Sequence, residues 1–347
     1  MKVKPDLSHP WVICVLNRHS RNGAAVASWQ ALSELLAHRK IRYKLLDIGE
    51  PALDVRLAME LKAQPAMAIL GMGGDGTHMS IINAIMGVIA MGKVSPPPYL
   101  PVPFGTGNNV AKSLGLGGAQ HNWQIAIDAL LHGSNRYLDL GIFEHTWFAD
   151  AISVGLDADI LASRDRLVQK QLESGKPPVH GYTAYAHAAI RNLFCRRHRQ
   201  CEIILDDEHW YSGPYTNILI NNTRIYAGIL DPTGGRDDDG MLDALVTRTT
   251  SAYTCTNLLS WRFNPTFLKR RGHHQPGILH GGSRLFENCH IHLDPPAPMQ
   301  MDGEYWGVRH ELAIDTCKQV LTVRVPANAA KQTTDPSIER AITSTVD

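Results

Sequence analysis

No charge of one sign dominates this 347-residue chain: 34 Lys and Arg stand against 33 Asp and Glu, a formal net charge of +1. Such a balance gives no global field for nucleic acid, so no nucleic-acid partner is expected. Long hydrophobic runs are missing as well. The longest apolar segment, residues 81–91, falls short of the roughly 20 residues that cross a bilayer. The first 16 residues hold too short an apolar run, and no small-residue cleavage site, for a signal peptide. The six cysteines form no Cys-x-x-Cys pair and no zinc spacing, which favours reduced thiols in a cytoplasmic protein. No internal repeat is visible, and no Gly-x-x-x-x-Gly-Lys-Ser/Thr occurs, so an ordinary P-loop is excluded. What remains is a globular composition, 44% hydrophobic and 19% charged, on a chain long enough for two domains.

The stretch from Ala66 to Asn83 organises the rest. An apolar run, residues 66–70, breaks into a glycine-rich turn with Gly73, Gly74 and Gly76, and apolar residues then resume at helical spacing from Met79. That pattern predicts a buried strand, a tight turn and a helix start. Glycines without a Cβ let backbone N–H groups approach an anion, and the helix adds its positive end. Asp75 stands inside the turn, where it could hold a cation or accept a proton.

The chain before residue 138 alternates strands and helices. Strands are predicted at 11–16, 42–48 and 66–70, and helices at about 24–38, 54–62, 79–91, 110–114 and 123–131. Residues 95–103, Ser95-Pro-Pro-Pro-Tyr-Leu-Pro-Val-Pro, read as a rigid approach to a further turn at 104–109. Short connections argue for a parallel sheet covered on both faces, with ligands at the carboxyl ends of its strands. The turns at 17–23, 71–77 and 104–109 would gather there. Beyond Tyr137 short strand-like runs separated by Gly, Pro and Asp predominate, with a helix expected near 183–194 and a mobile loop at 164–180. The fold class is α/β: an N-terminal Rossmann-like three-layer nucleotide domain (1–138), a mostly antiparallel β-rich domain (139–326) and a flexible tail (327–347).

Gly71-x-Gly73-x-x-Gly76 fits the dinucleotide fingerprint letter for letter. That fingerprint wants an acid about 20 residues downstream for the ribose, yet after Asp75 the next acid is Asp128. A carboxylate inside the turn would also repel a pyrophosphate. A bare strand-turn-helix corner would not need several Gly and an Asp together.

At this point the residues carry a resemblance. Gly73-Gly74-Asp75-Gly76-Thr77 is similar to the nucleotide loop of the diacylglycerol kinase catalytic superfamily, which includes bacterial soluble lipid kinases and sphingosine and ceramide kinases. Residues 103–111, Pro-Phe-Gly-Thr-Gly-Asn-Asn-Val-Ala, resemble the lipid kinases' second loop, which the more distant NAD kinases lack. Residues 17–23 resemble the first loop. Asp139-Leu140-Gly141, Gly155-Leu156-Asp157-Ala158, Asp239-Gly240-Met241-Leu242-Asp243 and Met301-Asp302-Gly303-Glu304 follow in the family order. Each motif is weak alone; together they are specific.

The resemblance implies an ATP-dependent lipid kinase that moves the γ-phosphoryl group of MgATP to a hydroxyl of diacylglycerol, ceramide or a sphingoid base in the cleft between the domains. Phosphoryl transfer asks mainly for positioning and charge neutralisation. The nucleotide contacts would come from Asn17, Ser20, Arg21, Gly73, Gly74, Asp75, Gly76, Thr77, Gly105, Thr106 and Asn108. Glu304 is the expected base for the acceptor hydroxyl, with Asp75 as its rival. Asp75 and Asp139 offer hard oxygens for a water-bridged Mg²⁺. A structural Mg²⁺ in relatives implies Asp239 with the carbonyls of Arg236 and Met241, although a solvated turn is the plainer reading of that acid run. The partners implied are a membrane lipid substrate and peripheral contact with the membrane, with a homodimer as a further expectation. The alternatives are NAD-kinase-like phosphorylation of a soluble acceptor, and a nucleotide- or lipid-binding regulator without catalysis.

Three departures stand out. Met79-Ser80, with His78 ahead of it, replaces a usual Asn-Glu. Asn109 replaces a usual Asp, and the first loop carries Arg18 and Arg21 where Pro and Gly are common. Two basic segments, residues 196–199 and 269–274, could meet anionic headgroups, the second beside Trp261, Phe263 and Phe267. His290 and His292, with Asp294 beyond, alternate on one strand face as a candidate metal constellation, against the simpler reading of ordinary strand histidines.

Overall fold

The computed structural model describes residues 10–174 except 93 and 121, residues 188, 189 and 192, residues 198–255 except 229 and 231, and residues 282–327 and 329. The chain divides into two units, Met1–Tyr137 with Leu321–Asp347, and Leu138–Val320.

In the first unit β1 (Trp11–Leu16), α1 (Ala24–His38), β2 (Arg42–Asp47), α2 (Leu53–Ala63), β3 (Ala68–Gly73), α3 (Asp75–Ala90), β4 (Tyr99–Pro103), α4 (Asn109–Ser113) and α5 (Gln124–His132) follow in order. The strands are parallel: β1 pairs with both β2 and β3, and β3 with β4. Nearly continuous apolar strands are what a parallel sheet buried on both faces requires. Ile13, Ile69, Leu70 and Leu100 are wholly inaccessible to water. Each such side chain stabilises the fold by about 1.5–3 kcal/mol.

Two boundaries differ from expectation. β3 runs on through Gly71 to Gly73, and α3 begins at Asp75 rather than Met79. The glycine segment is therefore strand end and helix start joined by one residue, Gly74. Residues 99–103 form a strand despite Pro101 and Pro103. Its register to the last strand of this unit is the single pair Tyr99–Val323. With so short a ladder on that side, the missing proline N–H groups cost little.

The second unit contains β5 (Ser134–Phe143, whose first four residues belong to the first unit), β6 (Thr146–Phe148), β7 (Ala151–Gly155), α6 (Leu156–Glu173), β8 (Gln200–Leu205), β9 (Glu208–Pro214), β10 (Asn217–Asn221), β11 (Leu242–Thr247), β12 (Gly282–Phe286), β13 (Asn288–Met301) and β14 (Glu304–Val325). Its pairings run β12-β11-β10-β7-β13-β14; β8 pairs with β13 and β9 with β8, while β5 pairs with β14 and β6 with β5. The pairs β10–β11, β10–β7, β11–β12, β13–β14, β13–β7, β13–β8, β5–β6 and β8–β9 are antiparallel. β14 is long, and its last five residues return to the first unit.

Residues 164–173 belong to α6, not to a loop. The first turns of this helix are buried and the rest partly exposed, so the polar half resembled a loop in sequence. Most of the helix expected at 183–194, the basic segment 269–274, its neighbours Trp261, Phe263 and Phe267, and most of the tail lie outside the described residues. No helix among the described residues is long and apolar enough to cross a membrane.

Candidate active site

β1, β3 and β4 end side by side, and three loops leave their carboxyl ends. Asn17 organises the first loop. Its backbone N–H donates to the Met72 carbonyl at 3.1 Å, its Oδ1 accepts the His19 amide at 3.0 Å, and its Nδ2 donates to Thr77 Oγ1 at 2.9 Å. Asn17 thereby ties the first loop to the second. Ser20, half-buried, opens the short helical turn Ser20–Gly23; the side chain of Arg21 lies outside the described residues.

The second and third loops meet backbone to backbone. A Cβ on Gly105 would collide with the Gly74 Cα, and one on Gly73 would collide with the Thr77 side chain. Gly71, the first letter of the apparent dinucleotide fingerprint, instead makes room for the Tyr99 ring. These glycines serve close packing among the loops. Asn108, fully buried and at φ +56°, clamps the third loop: its Oδ1 accepts the Gly105 N–H and its Nδ2 donates to the Gly105 carbonyl, both at 2.8 Å. Its side chain is thus committed to shaping the loop. Thr106 is exposed at the tip, while Gly74, Asp75 and Gly76 are partly exposed at the start of α3. The first amides of a helix have no intrahelical partner, so this corner presents N–H groups to an anion.

Asp75 sits in the first turn of α3, and its Oδ1 accepts the Val110 N–H at 3.2 Å. Burial pushes this carboxyl up to about 6, although part of the residue stays open to solvent. The amides of Val110, Asn109 and Asn108 and the charge of Lys112 act in the opposite direction. Behind it, His78 Nδ1 and the Tyr99 hydroxyl lie 2.6 Å apart, fully buried. Desolvation lowers His78 to about 3, so its imidazole is neutral. His78, noticed in sequence only as a departure, is a core partner of Tyr99.

In the second unit the structure groups Asp139 with the 236–241 turn. The Asp139 amide donates to the Asp237 carbonyl at 2.7 Å, and its two carboxylate oxygens accept the amides of Gly240 at 2.5 Å and Gln319 at 2.7 Å. Burial raises the Asp139 carboxyl, those amides lower it, and the charges of Asp239 and Asp238 raise it further. Asp239 is exposed and accepts the Met241 amide at 3.2 Å, and Arg236 donates twice to Asp238. Arg236, Asp239 and Met241, the three residues expected at a structural cation, share this turn, and Asp139, expected with Asp75 at a water-bridged cation, is hydrogen-bonded into it through Gly240.

Glu304 opens β14 immediately after a two-residue turn, Asp302 at φ +47° and Gly303 at φ +81°. Positive φ at both central residues is the tight hairpin geometry that matches strand twist. Asp302, buried, anchors this turn by accepting the amides of Ala149, Asp150 and Ala151 at 2.9–3.0 Å. Glu304 itself is exposed at its surface; partial desolvation by its surroundings raises its carboxyl, and the charge of Arg164 lowers it. Asp157 is likewise structural, accepting from Asn217, Tyr226 and Tyr253. Arg199 does not join a solvated basic face: it makes a buried ion pair with Asp159 at 2.8 Å.

The first unit is an α/β domain whose parallel sheet carries glycine loops at its carboxyl ends, where helix N-termini favour anions. The diacylglycerol kinase catalytic domain matches residues 11–143. Diacylglycerol kinase 3 of Arabidopsis thaliana is 32% identical over 103 residues, 29% of this chain and 21% of that protein, so the chain spans about a fifth of that curated relative. A crystal structure of a diacylglycerol kinase from Bacillus anthracis str. Sterne aligns with TM-score 0.64 at 17% identity, covering 91% of this chain and 97% of that one. A second structure from the same organism reaches 0.68 at 17% identity, covering 92% and 98%. At such identity these two show the fold. Residues 11–143 are thus the part of the chain that is similar to the diacylglycerol kinase catalytic domain.

Proposed function

We propose that the protein transfers the γ-phosphoryl group of ATP to a hydroxyl of a membrane lipid. The observation that carries this reading is the cradle made where Gly74 and Gly105 touch, with Asn17 and Asn108 bracing the loops and the α3 amides open beside them. The amides and the exposed Thr106 hydroxyl would hold triphosphate oxygens. Glu304 would take the proton of the acceptor hydroxyl as that oxygen bonds to phosphorus and ADP leaves. A carboxylate whose affinity for protons is raised is suited to this work near neutral pH.

Asp75 is better suited to steering than to proton removal, because its carboxylate already braces the third loop through Val110. A divalent cation, Mg²⁺ by its preference for hard oxygens, fits beside that part-exposed carboxylate and would neutralise phosphate charge. The acid-rich turn at Asp139 and Asp239, with the carbonyls of Arg236 and Met241, fits a second, structural Mg²⁺. Peripheral contact with a lipid surface in the cytoplasm follows from the acceptor.

Labelled ATP with Mg²⁺ and separate mixed micelles of diacylglycerol, ceramide and sphingoid base, with NAD in parallel, tests the reading. Label should enter a lipid. Label in NAD alone would replace it with the soluble-acceptor reading, and ATP binding without transfer would favour a regulator.

A further inference from the structure

β13 and β14 pair antiparallel, with His292 directly opposite Glu311. The ladder then slips: the next aligned pair is Ala297–Arg309, so four residues of β13 face the single residue His310 of β14. A bulge of this kind breaks the alternation of a strand and re-aims a side chain. Here both His310 and Glu311 end up exposed, where strict alternation would have turned one of them inward. The His292 and His310 rings stand edge to face with centroids 4.4 Å apart, and His292 Nδ1 lies 3.4 Å from Glu311 Oε1. One ligand atom from each of the three lies within 4.8 Å of the other two.

We propose that His292, His310 and Glu311 form a binding site for a transition-metal dication, with Zn²⁺ as the best-matched ion. Two imidazoles and one carboxylate are the donor set of three-ligand zinc sites, whose fourth position is left to water. Bonds of about 2.0–2.1 Å in a tetrahedron place ligand atoms about 3.3 Å apart. The His292–Glu311 separation of 3.4 Å matches that, all three ligand atoms lie within 4.8 Å of one another, and exposed side chains can close the remainder by rotation. Imidazole donors also discriminate against Mg²⁺, which prefers oxygen ligands, so this site is chemically separate from the acid-rich turn at residues 236–241. A bound ion would pin the bulge across both strands.

The test uses the full chain without an affinity tag, stripped with chelator and titrated calorimetrically with ZnCl₂. One equivalent should bind in the micromolar range, unaffected by millimolar MgCl₂, and should raise the melting temperature. His310→Ala and Glu311→Gln, checked for folding by circular dichroism, should each weaken binding at least about tenfold and lose the thermal shift. His290→Ala, one strand step away, should bind as the parent does. Absence of stoichiometric Zn²⁺ binding, equal affinity in the His310 and Glu311 variants, or an equal loss in His290→Ala would overturn the proposal.

Discussion

The Asp75 carboxylate accepts the backbone N–H of Val110 at 3.2 Å, joining the first turn of α3 to the first turn of α4. One acid thus holds two glycine loops in register while part of it remains open to solvent. Its raised proton affinity has a stability consequence of definite sign. The folded state binds its proton more tightly than the unfolded state, so ionisation costs stability as pH rises from about 3.8 to about 6. Asp75→Asn keeps an oxygen for Val110 and removes the charge. Thermal melts should show this variant at least as stable as the parent at pH 7.5, with any advantage fading toward pH 4, while kinase activity falls by about a hundredfold or more. A lower melting temperature at pH 7.5 would contradict the assignment.

Gly105→Ala tests the contact between the loops. The added methyl meets the Gly74 backbone, which has no flexible end to move aside. Overpacking of this kind costs about 1–3 kcal/mol. Denaturant unfolding should show that loss, and fluorescent-nucleotide titration should show ATP binding weakened at least tenfold. Normal ATP affinity would mean that the loop contact does not shape the cradle.

Asp302→Ala leaves the buried amides of residues 149–151 without their acceptor. Each stranded group costs about 1–3 kcal/mol, so a loss of at least about 3 kcal/mol is expected by chemical denaturation. Asp302→Asn, which retains an acceptor oxygen, should lose less. A small effect in both variants would show that the hairpin turn before Glu304 is held by its backbone alone.

Much of the first unit was legible because buried parallel strands and amphipathic helices leave strong periodic signals, as in residues 11–16 and 24–38. The three loops were legible as a set because parallel strands put their carboxyl ends together. What glycine meant was less legible. Gly71 and Gly73 satisfy a dinucleotide fingerprint, but the fold uses them for contact with Tyr99 and Thr77, which lie 28 and four residues away. β4 was hidden by prolines that only an incomplete ladder tolerates. Asp302 was read through its neighbour Glu304, and nothing local announced that it accepts amides some 150 residues earlier. His310 carried no signal because a bulge, not spacing, sets it beside His292.

The central claim is tested most directly by Glu304→Gln, assayed for phosphate transfer from labelled ATP to the lipid that the parent accepts. Glu304 is exposed, so the exchange should leave the melting temperature and ATP affinity unchanged. Loss of a positioned base should lower kcat by about 10²–10⁴-fold. The parent's rate should also rise with pH through a midpoint above that of an ordinary glutamate, since desolvation raises this carboxyl. A Glu304→Gln enzyme that phosphorylates lipid at the parent's rate would contradict the account.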